Sequence, residues 1–303
     1  MGLELTILGC GSASPTSTRN HSSQFIKMAS RYLLIDCGEG TQIQLRKNKI
    51  RMQRIEHVFI SHLHGDHYFG LPGLLSSFHL LGREKELHIY CPKGLKEIIH
   101  SIFKQSNTYL KYPLHFHLLD FNEKQLLYEN KALEIHSIPL KHSIDTCGFL
   151  FREKPKPRRI NRKATDAYDI PVFAFNKIKD GEDYCMDDGE IIKNKMLTFD
   201  PHPSVTYAYC TDTAYFPQLS DHLKDVDLLY HEATFAKDLE GLAKKTKHTT
   251  AEQAALIANQ ASVKKLILGH YSARYNDLNT LLLEAKEVFS ETILAEDGMK
   301  LVI

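Results

Sequence analysis

The sequence of 303 residues lacks several features that would assign its class at once. It has no uninterrupted run of roughly 18–20 apolar residues, which a membrane-spanning helix needs, so no membrane association is predicted. Its six cysteines form no CxxC pair, which argues against a structural Cys₄ zinc and suits a reducing cytosol better than a disulfide scaffold. The start, Met1–Leu8, has no basic segment and carries Glu4, which is unlike a signal peptide, so we expect a cytoplasmic protein. The formal net charge of +1 excludes global steering towards nucleic acid, though not a local basic patch.

The chain alternates short apolar runs with stretches of helical periodicity. Apolar residues recur at helical spacing over Leu95–Phe103 and Leu278–Phe289. Thr249 and Glu252 have the spacing of a capping box, so another helix is predicted to begin there. The runs of β type are Leu3–Leu8, Gln24–Lys27, Tyr32–Asp36, Val58–Ile60, Leu87–Tyr90, Leu133–Pro139, Val205–Tyr209, Leu228–Tyr230 and Leu266–Leu268. The second and third form a predicted hairpin that breaks at Ser30-Arg31. This mixture indicates a layered α/β domain whose sheet is buried under helices.

One segment, Phe151–His202, departs from this rhythm. It begins with basic residues among two prolines and then becomes acidic. One interpretation is an exposed, solvated excursion with a hairpin turn at Asp188-Gly189. The other is a protruding basic arm that grips a polyanion. No second self-contained domain is predicted, so we expect a single domain over residues 1–303 with an insertion at about 151–202. The basic residues are Arg152, Lys154, Lys156, Arg158, Arg159, Arg162 and Lys163.

Histidine is unusually frequent, with 17 residues, and the run His62-Leu63-His64-Gly65-Asp66-His67 is dense in possible metal ligands. It follows the apolar run Val58–Ile60 directly. In an extended chain His62 and His64 project to the same side, while Asp66 and His67 turn back near the next helix start. A lone histidine is usually a core or surface residue, but packing needs rarely explain three imidazoles and a carboxylate together. The run therefore predicts metal binding.

A two-metal site needs further ligands, including an anion between the cations. His142, Asp212 and His270 each come just past the end of a β-type run, where α/β folds place their ligand-binding loops. The prediction is that His62, His64 and His142 bind one ion and that Asp66, His67 and His270 bind the other. Asp212 bridges them. Nitrogen and oxygen ligands without thiolate favour two Zn²⁺ ions per subunit, with Mn²⁺ as the alternative.

Two neighbouring ions of this kind suit hydrolysis of an ester. They hold a hydroxide between them and polarise an ester oxygen. The water pKa falls towards about 7, so a nucleophile is present at neutral pH. Asp66 is placed to ligate a metal and also to accept the proton of the water.

At this point the sequence resembles the metallo-β-lactamase superfamily and, within it, the ribonuclease Z family of tRNA 3′-processing endonucleases. The run His62–His67 carries the superfamily resemblance only. The narrower resemblance covers essentially the whole chain and rests on further motifs. These are Leu8-Gly9-Cys10-Gly11-Ser12 with Pro15 and Arg19-Asn20, Leu34-Ile35-Asp36-Cys37-Gly38-Glu39-Gly40-Thr41-Gln42, His231-Glu232-Ala233-Thr234 and His270-Tyr271-Ser272-Ala273-Arg274-Tyr275.

The resemblance implies an αββα four-layer sandwich with the metals at one edge of the two sheets. It also implies that Glu232 and His248 form a proton-donating pair for the leaving 3′-oxygen, which is chemically sensible because an RNA alkoxide leaves badly without a proton. Asp36 would either orient a ligand histidine or shape the glycine-rich turn. Ser272 and Arg274 would hold phosphate oxygens.

The segment 151–202 lies where members of that family carry a flexible arm that clamps tRNA from the neighbouring subunit. The resemblance therefore implies a homodimer that binds precursor tRNA, with Lys154, Lys156, Arg158 and Arg159 as candidate RNA contacts. Two departures occur. The usual Gly-Pro segment of the arm is absent around Pro171, and Ser17 stands where the family's Pro-x-Lys-x-Arg-Asn loop has lysine.

The activity implied is a zinc-dependent endoribonuclease. It would remove the 3′ trailer from precursor tRNA by attack of metal-bound hydroxide and leave a 3′-hydroxyl on the tRNA and a 5′-phosphate on the trailer. The alternatives are a small-molecule hydrolase, such as a lactonase or thioester hydrolase, and a broad RNase that trims 3′ ends. A catalytically silent RNA-binding scaffold is a further alternative, against which the seven intact ligands argue. No protein partner other than a second subunit is predicted.

Overall fold

The computed structural model describes residues 2–303, which form two compact units. The first comprises the chain up to Arg152 together with Val205–Ile303, and the second is Glu153–Ser204. In residues 2–303 the strands are β1 (Glu4–Gly9), β2 (Ser23–Met28), β3 (Arg31–Ile35), β4 (Ile55–Phe59), β5 (Leu87–Cys91), β6 (Leu114–Leu118), β7 (Leu126–Glu129), β8 (Leu133–Pro139), β9 (Cys147–Glu153), β10 (Arg159–Ile160), β11 (Tyr184–Cys185), β12 (Ile191–Ile192), β13 (Thr198–Phe199), β14 (Thr206–Cys210), β15 (Leu228–Glu232), β16 (Leu266–Gly269), β17 (Thr292–Leu294) and β18 (Lys300–Val302).

Helices connect many of these strands. Over the same residues they are α1 (Thr41–Lys47), α2 (Gly65–Tyr68), α3 (Leu71–Leu80), α4 (Leu95–Gln105), α5 (Arg162–Ala167), α6 (Phe175–Lys179), α7 (Asn194–Leu197), α8 (Glu240–Thr246), α9 (Ala251–Gln260) and α10 (Asn279–Val288). None of the helices in residues 2–303 combines the length and the hydropathy that crossing a bilayer requires.

The first unit is built on two seven-stranded sheets within the described residues. One has the order β18-β1-β2-β3-β4-β5-β6 and the other the order β17-β16-β15-β14-β9-β8-β7. Their inner faces pack on each other: the ring of Phe59 on β4 contacts those of Phe149 and Phe151 on β9, with centroids 5.4 and 5.6 Å apart. Tyr207 of β14 also donates a hydrogen bond to Gln24 of β2. The predicted sheet is thus a pair of sheets around a shared core.

Helices cover both outer faces because the strands are apolar on both sides. On β3, Leu33 and Ile35 join the core between the sheets, whereas Leu34 joins the cluster under the helices, as the two-residue period of a strand requires. That outer cluster includes residues of α1, α3 and α4 on the first sheet. On the second sheet α9 packs against β15 and β16 and α10 against β17. The result is the αββα layering that the resemblance implied.

The predicted strands and helices of this unit are all present with small shifts in their ends. The hairpin turn between β2 and β3 consists of Ala29 and Ser30, with φ of 46° and 64°, rather than Ser30-Arg31, because Arg31 pairs with Met28. The apolar pattern of the sequence did not predict β6, β7, β9, β17 and β18 or the helices α1, α3 and α8. Most of these strands lie at sheet edges, where the apolar pattern is weak.

The capping box of α9 lies one residue later than predicted. Thr250, not Thr249, is the N-cap, and its side chain accepts from the backbone of Gln253, whose side chain accepts from the backbone of Thr250. The hydroxyl of Thr249 instead donates to the carbonyl of Thr213 at 2.5 Å. The sequence thus predicted a capping box correctly, but it did not distinguish which of the two consecutive threonines is the N-cap.

This cap gives a stability prediction. We expect Thr250→Ala to lower the free energy of unfolding by about 1 kcal/mol, because the backbone N–H of Gln253 at the start of α9 loses its side-chain partner. Urea denaturation measures the change. Thr246→Ala, which removes an exposed hydroxyl from α8, is the control. An unchanged midpoint for Thr250→Ala would show that water replaces the cap at no cost.

The second unit, Glu153–Ser204, contains the predicted hairpin and three short helices. Strands β11 and β12 pair as a hairpin around Gly189, which has a φ of 89°, close to the predicted turn. The helices α5, α6 and α7 were not predicted. They surround a small cluster of buried apolar residues, namely Ile170, Ala174, Ile178, Ile192 and Leu197. The insertion is therefore more ordered than the solvated excursion considered above.

Candidate metal centre and active site

The predicted metal ligands lie together at one end of the strands. His62 and His64 follow β4, and Asp66 and His67 lie on α2, whose first residue is Gly65. Three further loops, after β8, β14 and β16, bring in His142, Asp212 and His270. All seven side chains are buried except that of His64, which is half-buried. A cleft of about 580 Å³ opens above them.

The first group consists of His62, His64, His142 and Asp212. Nδ1 of His64 is 3.1 Å from Nε2 of His62 and 3.2 Å from Nε2 of His142. Oδ2 of Asp212 is 3.6 Å from each of the same two Nε2 atoms. Four ligand atoms thus converge on one point.

The second group consists of Asp66, His67 and His270. Nε2 of His67 is 3.4 Å from Nε2 of His270, and Oδ2 of Asp66 is 3.4 and 3.5 Å from these two nitrogens. Oδ1 of Asp212 is 3.3 Å from Nε2 of His67 and 3.0 Å from Nε2 of His270. Asp212 therefore presents one carboxylate oxygen to each group, as a bridging residue would.

These spacings fit a divalent cation at each group. Tetrahedral ligands about 2.0–2.1 Å from a zinc ion are about 3.3–3.4 Å from one another, and the observed separations fall around that value. Imidazole nitrogens and carboxylate oxygens that converge on one point in this way form a donor set that suits a divalent cation. The cluster is therefore that of a divalent metal site.

In four of the ligand histidines, His62, His67, His142 and His270, Nε2 faces a ligand group and Nδ1 contacts a specific partner. Nδ1 of His142 donates to the carbonyl of Lys247 at 2.9 Å, and Nδ1 of His67 donates to Oδ2 of Asp36 at 2.7 Å. Nδ1 of His62 lies 3.0 Å from the hydroxyl of Ser61. Such contacts leave the lone pair on Nε2, which is the atom aimed at the metal position.

Asp36 combines the two roles that the sequence left open. It is fully buried, and its φ of 52° shapes the turn after β3. Besides His67, its carboxylate accepts from the backbone of Ser61 at 2.8 Å and from the hydroxyl of Tyr209 at 2.7 Å. It thus joins both sheets beneath the metal site.

Glu232 and His248 form a hydrogen-bonded pair beside the ligands. Nδ1 of His248 donates to Oε1 of Glu232 at 2.8 Å, and the backbone N–H of Thr213 donates to the same oxygen at 2.8 Å. The ring of His248 lies 4.9 Å from that of His142 and 5.5 Å from that of His270. Because Nδ1 is engaged, Nε2 is the atom of His248 available to a substrate in the cleft.

The charges of this pair support each other. Burial disfavours the charged form of His248, but the adjacent Glu232 carboxylate outweighs burial and raises the pKa of the imidazole to about 9. Burial likewise opposes ionisation of Glu232, yet His248 holds the pKa of that carboxyl below its ordinary value. At neutral pH the arrangement is an imidazolium oriented by a carboxylate, which can donate a proton.

The predicted phosphate-binding residues also line the cleft. Ser272 is buried, and its hydroxyl accepts weakly from the backbone of Arg274 at 3.4 Å. Arg274 is exposed on the rim. Both residues therefore lie where their side chains are within reach of an anion bound in the cleft.

The four basic residues predicted to contact RNA lie in the second unit. Lys156 pairs with Glu153 at 2.6 Å, and Arg158 pairs with Asp200 at 2.8 Å. Arg159 is exposed and donates to the carbonyl of Asp200 at 2.9 Å, while Lys154 is half-buried. The positive charge of this segment is thus partly neutralised within it.

Two residues beside the ligand groups were not predicted from the sequence. Lys247, in the left-handed conformation with φ of 55°, provides the carbonyl that holds His142. The hydroxyl of Thr234 contacts both Glu232 and His270. Thr234 belongs to a motif that was recognised, so its position in His231-Glu232-Ala233-Thr234 was the available signal. For Lys247 the sequence offered none.

Comparison with known proteins decides the family. A ribonuclease Z of Bacteroides thetaiotaomicron is 47% identical over 300 residues, which cover 99% of this chain and 95% of that protein. The chain belongs to the ribonuclease Z family. Another member, from Bacteroides fragilis, is 49% identical over 296 residues, covering 98% of this chain and 97% of the relative. The resemblance seen in the motifs is confirmed.

Solved structures and family models support a metallo-β-lactamase fold for this member of the ribonuclease Z family. The short form of human tRNase Z is 28% identical, with a TM-score of 0.70 and 99% of each chain covered. YhfI of Bacillus subtilis, a metallo-β-lactamase fold protein, has a TM-score of 0.70 at 19% identity over the whole of both chains, which shows the fold alone. The model of the anti-Pycsar protein Apyc1 family matches residues 3–152, and that of the β-lactamase superfamily domain matches residues 195–271. The predicted α/β metallo-β-lactamase fold is confirmed.

Proposed function

We propose that this family member is a zinc-dependent endoribonuclease that removes the 3′ trailer from precursor tRNA. Cleavage leaves a 3′-hydroxyl on the tRNA and a 5′-phosphate on the trailer. The observation that carries the proposal is the Glu232–His248 pair beside two metal-ligand groups that share Asp212. A ribonucleoside 3′-oxygen is a strongly basic leaving group, so a proton donor next to the metals suits this phosphodiester.

The donor set is suited to two Zn²⁺ ions per subunit, with Mn²⁺ as the alternative. Six imidazole and carboxylate side chains divide between the two groups, Asp212 faces both, and none is a thiolate. When bound, the cations provide a nucleophile at neutral pH by lowering the pKa of water and neutralise charge on the phosphate.

The remaining steps belong to side chains of the protein. The carboxylate of Asp66, fixed by the backbone N–H of Ala13 at 2.7 Å, accepts the proton of the attacking water. Nε2 of His248 donates a proton to the departing 3′-oxygen, and Glu232 stabilises the imidazolium. Ser272 and Arg274 bind phosphate oxygens at the rim.

We also propose that the chain is one metallo-β-lactamase-like domain with an RNA-binding arm, and that it acts as a homodimer in the cytoplasm. The arm corresponds to Glu153–Ser204, close to the expected 151–202. Its exposed Arg159 and the half-buried Lys154, Lys156 and Arg158 are the candidate contacts with the tRNA backbone. The six cysteines are free thiols, a state that suits a reducing compartment.

An arm replacement tests this assignment. Arg152 and Thr206 are directly paired on neighbouring strands, so a short Gly-Ser turn can replace residues 153–204 without opening the sheet. We expect the variant to cleave precursor tRNA at least about 10-fold less efficiently, because it loses phosphate contacts. Hydrolysis of bis-p-nitrophenyl phosphate should be unchanged, since that substrate is too small to need an arm. Equal loss on both substrates would mean that the segment supports the fold.

The activity itself is tested with purified protein and a 3′-extended precursor tRNA. The reaction is run with and without chelator and with zinc added back, and the product ends are mapped. A single metal-dependent cut after the discriminator base is the expected result. Hydrolysis of simple esters without RNA cleavage would instead favour a lactonase or thioester hydrolase, and a ladder of 3′ ends would favour a broad trimming RNase.

A further inference from the structure

Thr234 ends the motif 231–234, and its hydroxyl lies between the metal ligands and the proton-donating pair. The side chain is buried beside the cleft. Its Oγ1 is 2.6 Å from Oε2 of Glu232 and 3.0 Å from Nδ1 of His270. The same Oγ1 is 3.3 Å from Nδ1 of His248, so a single hydroxyl contacts a metal ligand and both members of the proton-donating pair.

The directions of these hydrogen bonds follow from the single proton of the hydroxyl. The carboxylate of Glu232 is both the nearest acceptor and the only ionised one among the neighbours that Oγ1 contacts in residues 2–303, so the O–H donates to it. The lone pairs of Oγ1 then accept from Nδ1–H of His270. In that tautomer Nε2 of His270 carries the lone pair, and this atom lies 3.0 Å from Oδ1 of Asp212.

The hydrogen bonds of the Thr234 hydroxyl also extend, through Glu232, to His248. Glu232 accepts from Thr234 on Oε2 and from His248 on Oε1. The backbone of Thr234 is fixed as well, because its N–H donates to Oε2 of Glu232 at 3.2 Å and its carbonyl accepts from the backbone of Ser272 at 3.2 Å. The backbone therefore holds the hydroxyl in place, where its alternative acceptor, the carbonyl of His270, is 3.0 Å away and thus farther than Glu232.

We propose that Thr234 is a positioning residue that couples the two halves of the site. Its hydroxyl fixes the metal-binding tautomer of His270 and, through Glu232, the orientation of His248. This inference rests on the proposed function in that it takes His248 as the proton donor to the leaving group. Thr234 itself touches neither substrate nor metal in this role.

The test compares Thr234→Val, which keeps the shape and removes the hydroxyl, with Thr234→Ser, which retains it. Zinc affinity is measured by titration of the metal-free protein, and the tautomer of His270 is measured by ¹H–¹⁵N spectra of the imidazoles. We expect Thr234→Val to lower the affinity for one of the zinc ions by about 10–100-fold. At saturating zinc, kcat for precursor tRNA should fall by a similar factor. The substitution should also change the His270 signals. Thr234→Ser should restore all three, and Thr280→Val, at an exposed position of α10, should change none.

A double substitution distinguishes coupling from two separate effects. In a protein that already carries His248→Ala, Thr234→Val should still lower the affinity for zinc. It should lower kcat little further, because the catalytic effect of Thr234 passes through Glu232 and His248. Fully multiplicative losses in kcat would overturn the coupling, and so would unaltered zinc affinity in Thr234→Val. Zinc affinity and imidazole spectra do not depend on RNA. Failure of the proposed function, seen as no precursor cleavage by the unsubstituted protein, is therefore distinguishable from failure of this inference.

Discussion

Asp212→Ala is expected to reduce cleavage of precursor tRNA by about 10³-fold or more while leaving tRNA affinity largely intact. Its two carboxylate oxygens face different ligand groups, at 3.6 Å from His62 and His142 and at 3.0–3.3 Å from His270 and His67. Loss of the carboxylate removes a ligand from both positions at once. Several kcal/mol of transition-state stabilisation depend on the metals, and each 1.4 kcal/mol corresponds to about a factor of ten.

Three measurements on this variant separate the causes. Zinc content should fall, single-turnover cleavage should be lost, and the Kd for a precursor tRNA should change little, because most RNA contacts lie elsewhere. The matched control is Asp221→Ala, which removes an exposed aspartate whose contact with Lys224 is 3.6 Å long. Undiminished turnover by Asp212→Ala would disprove the bridging assignment.

The second large effect is expected for His248→Ala on RNA. We expect kcat for precursor tRNA to fall by about 10²–10⁴-fold, the usual contribution of a general acid. Hydrolysis of bis-p-nitrophenyl phosphate should fall far less, because p-nitrophenolate is a weak base that leaves without a proton. Zinc content should be unchanged, because each of the two ligand groups is complete without His248; a loss of zinc would instead assign a metal to His248, which lies with Asp212 and His270 in a third group of possible ligands.

The contrast between the two substrates is the decisive measurement for this assignment. Glu232→Gln should show the same contrast, and the double variant should be little worse than either single one, because the two residues act as a unit. His100→Ala, at an exposed position of α4, is the control. Equal losses on both substrates would instead mean that His248 supports the metal site or the fold.

Much of the fold was predictable because it depends on local patterns. The apolar run of β3 and the helical period of α4 are properties of a few consecutive residues. The helices of the second unit were not predictable in this way. α5 and α7 are short and polar, and they are stabilised by a small core of residues that come from separate parts of the segment.

The capping box shows the limit of local reasoning. Thr249 and Thr250 both precede residues of suitable type, and the pattern alone favoured the first with Glu252. In the fold Thr249 is drawn away by the carbonyl of Thr213, 36 residues earlier, which leaves Thr250 and Gln253 to form the cap. A tertiary hydrogen bond thus decided between two local alternatives.

The sequence by itself determined the chemistry of the metal site, because four ligands lie within the six consecutive residues 62–67 and their types suit zinc. The tertiary structure decided how the other groups join them. His67 and His270 are 203 positions apart, yet their nitrogens lie 3.4 Å apart because two sheets meet at one edge. It also decided that Nε2 of His67, His142 and His270 faces the ligand groups, since the partners of their Nδ1 atoms, Asp36, Lys247 and Thr234, come from distant loops. Contacts of this kind depend on where chain segments meet, which no local pattern records.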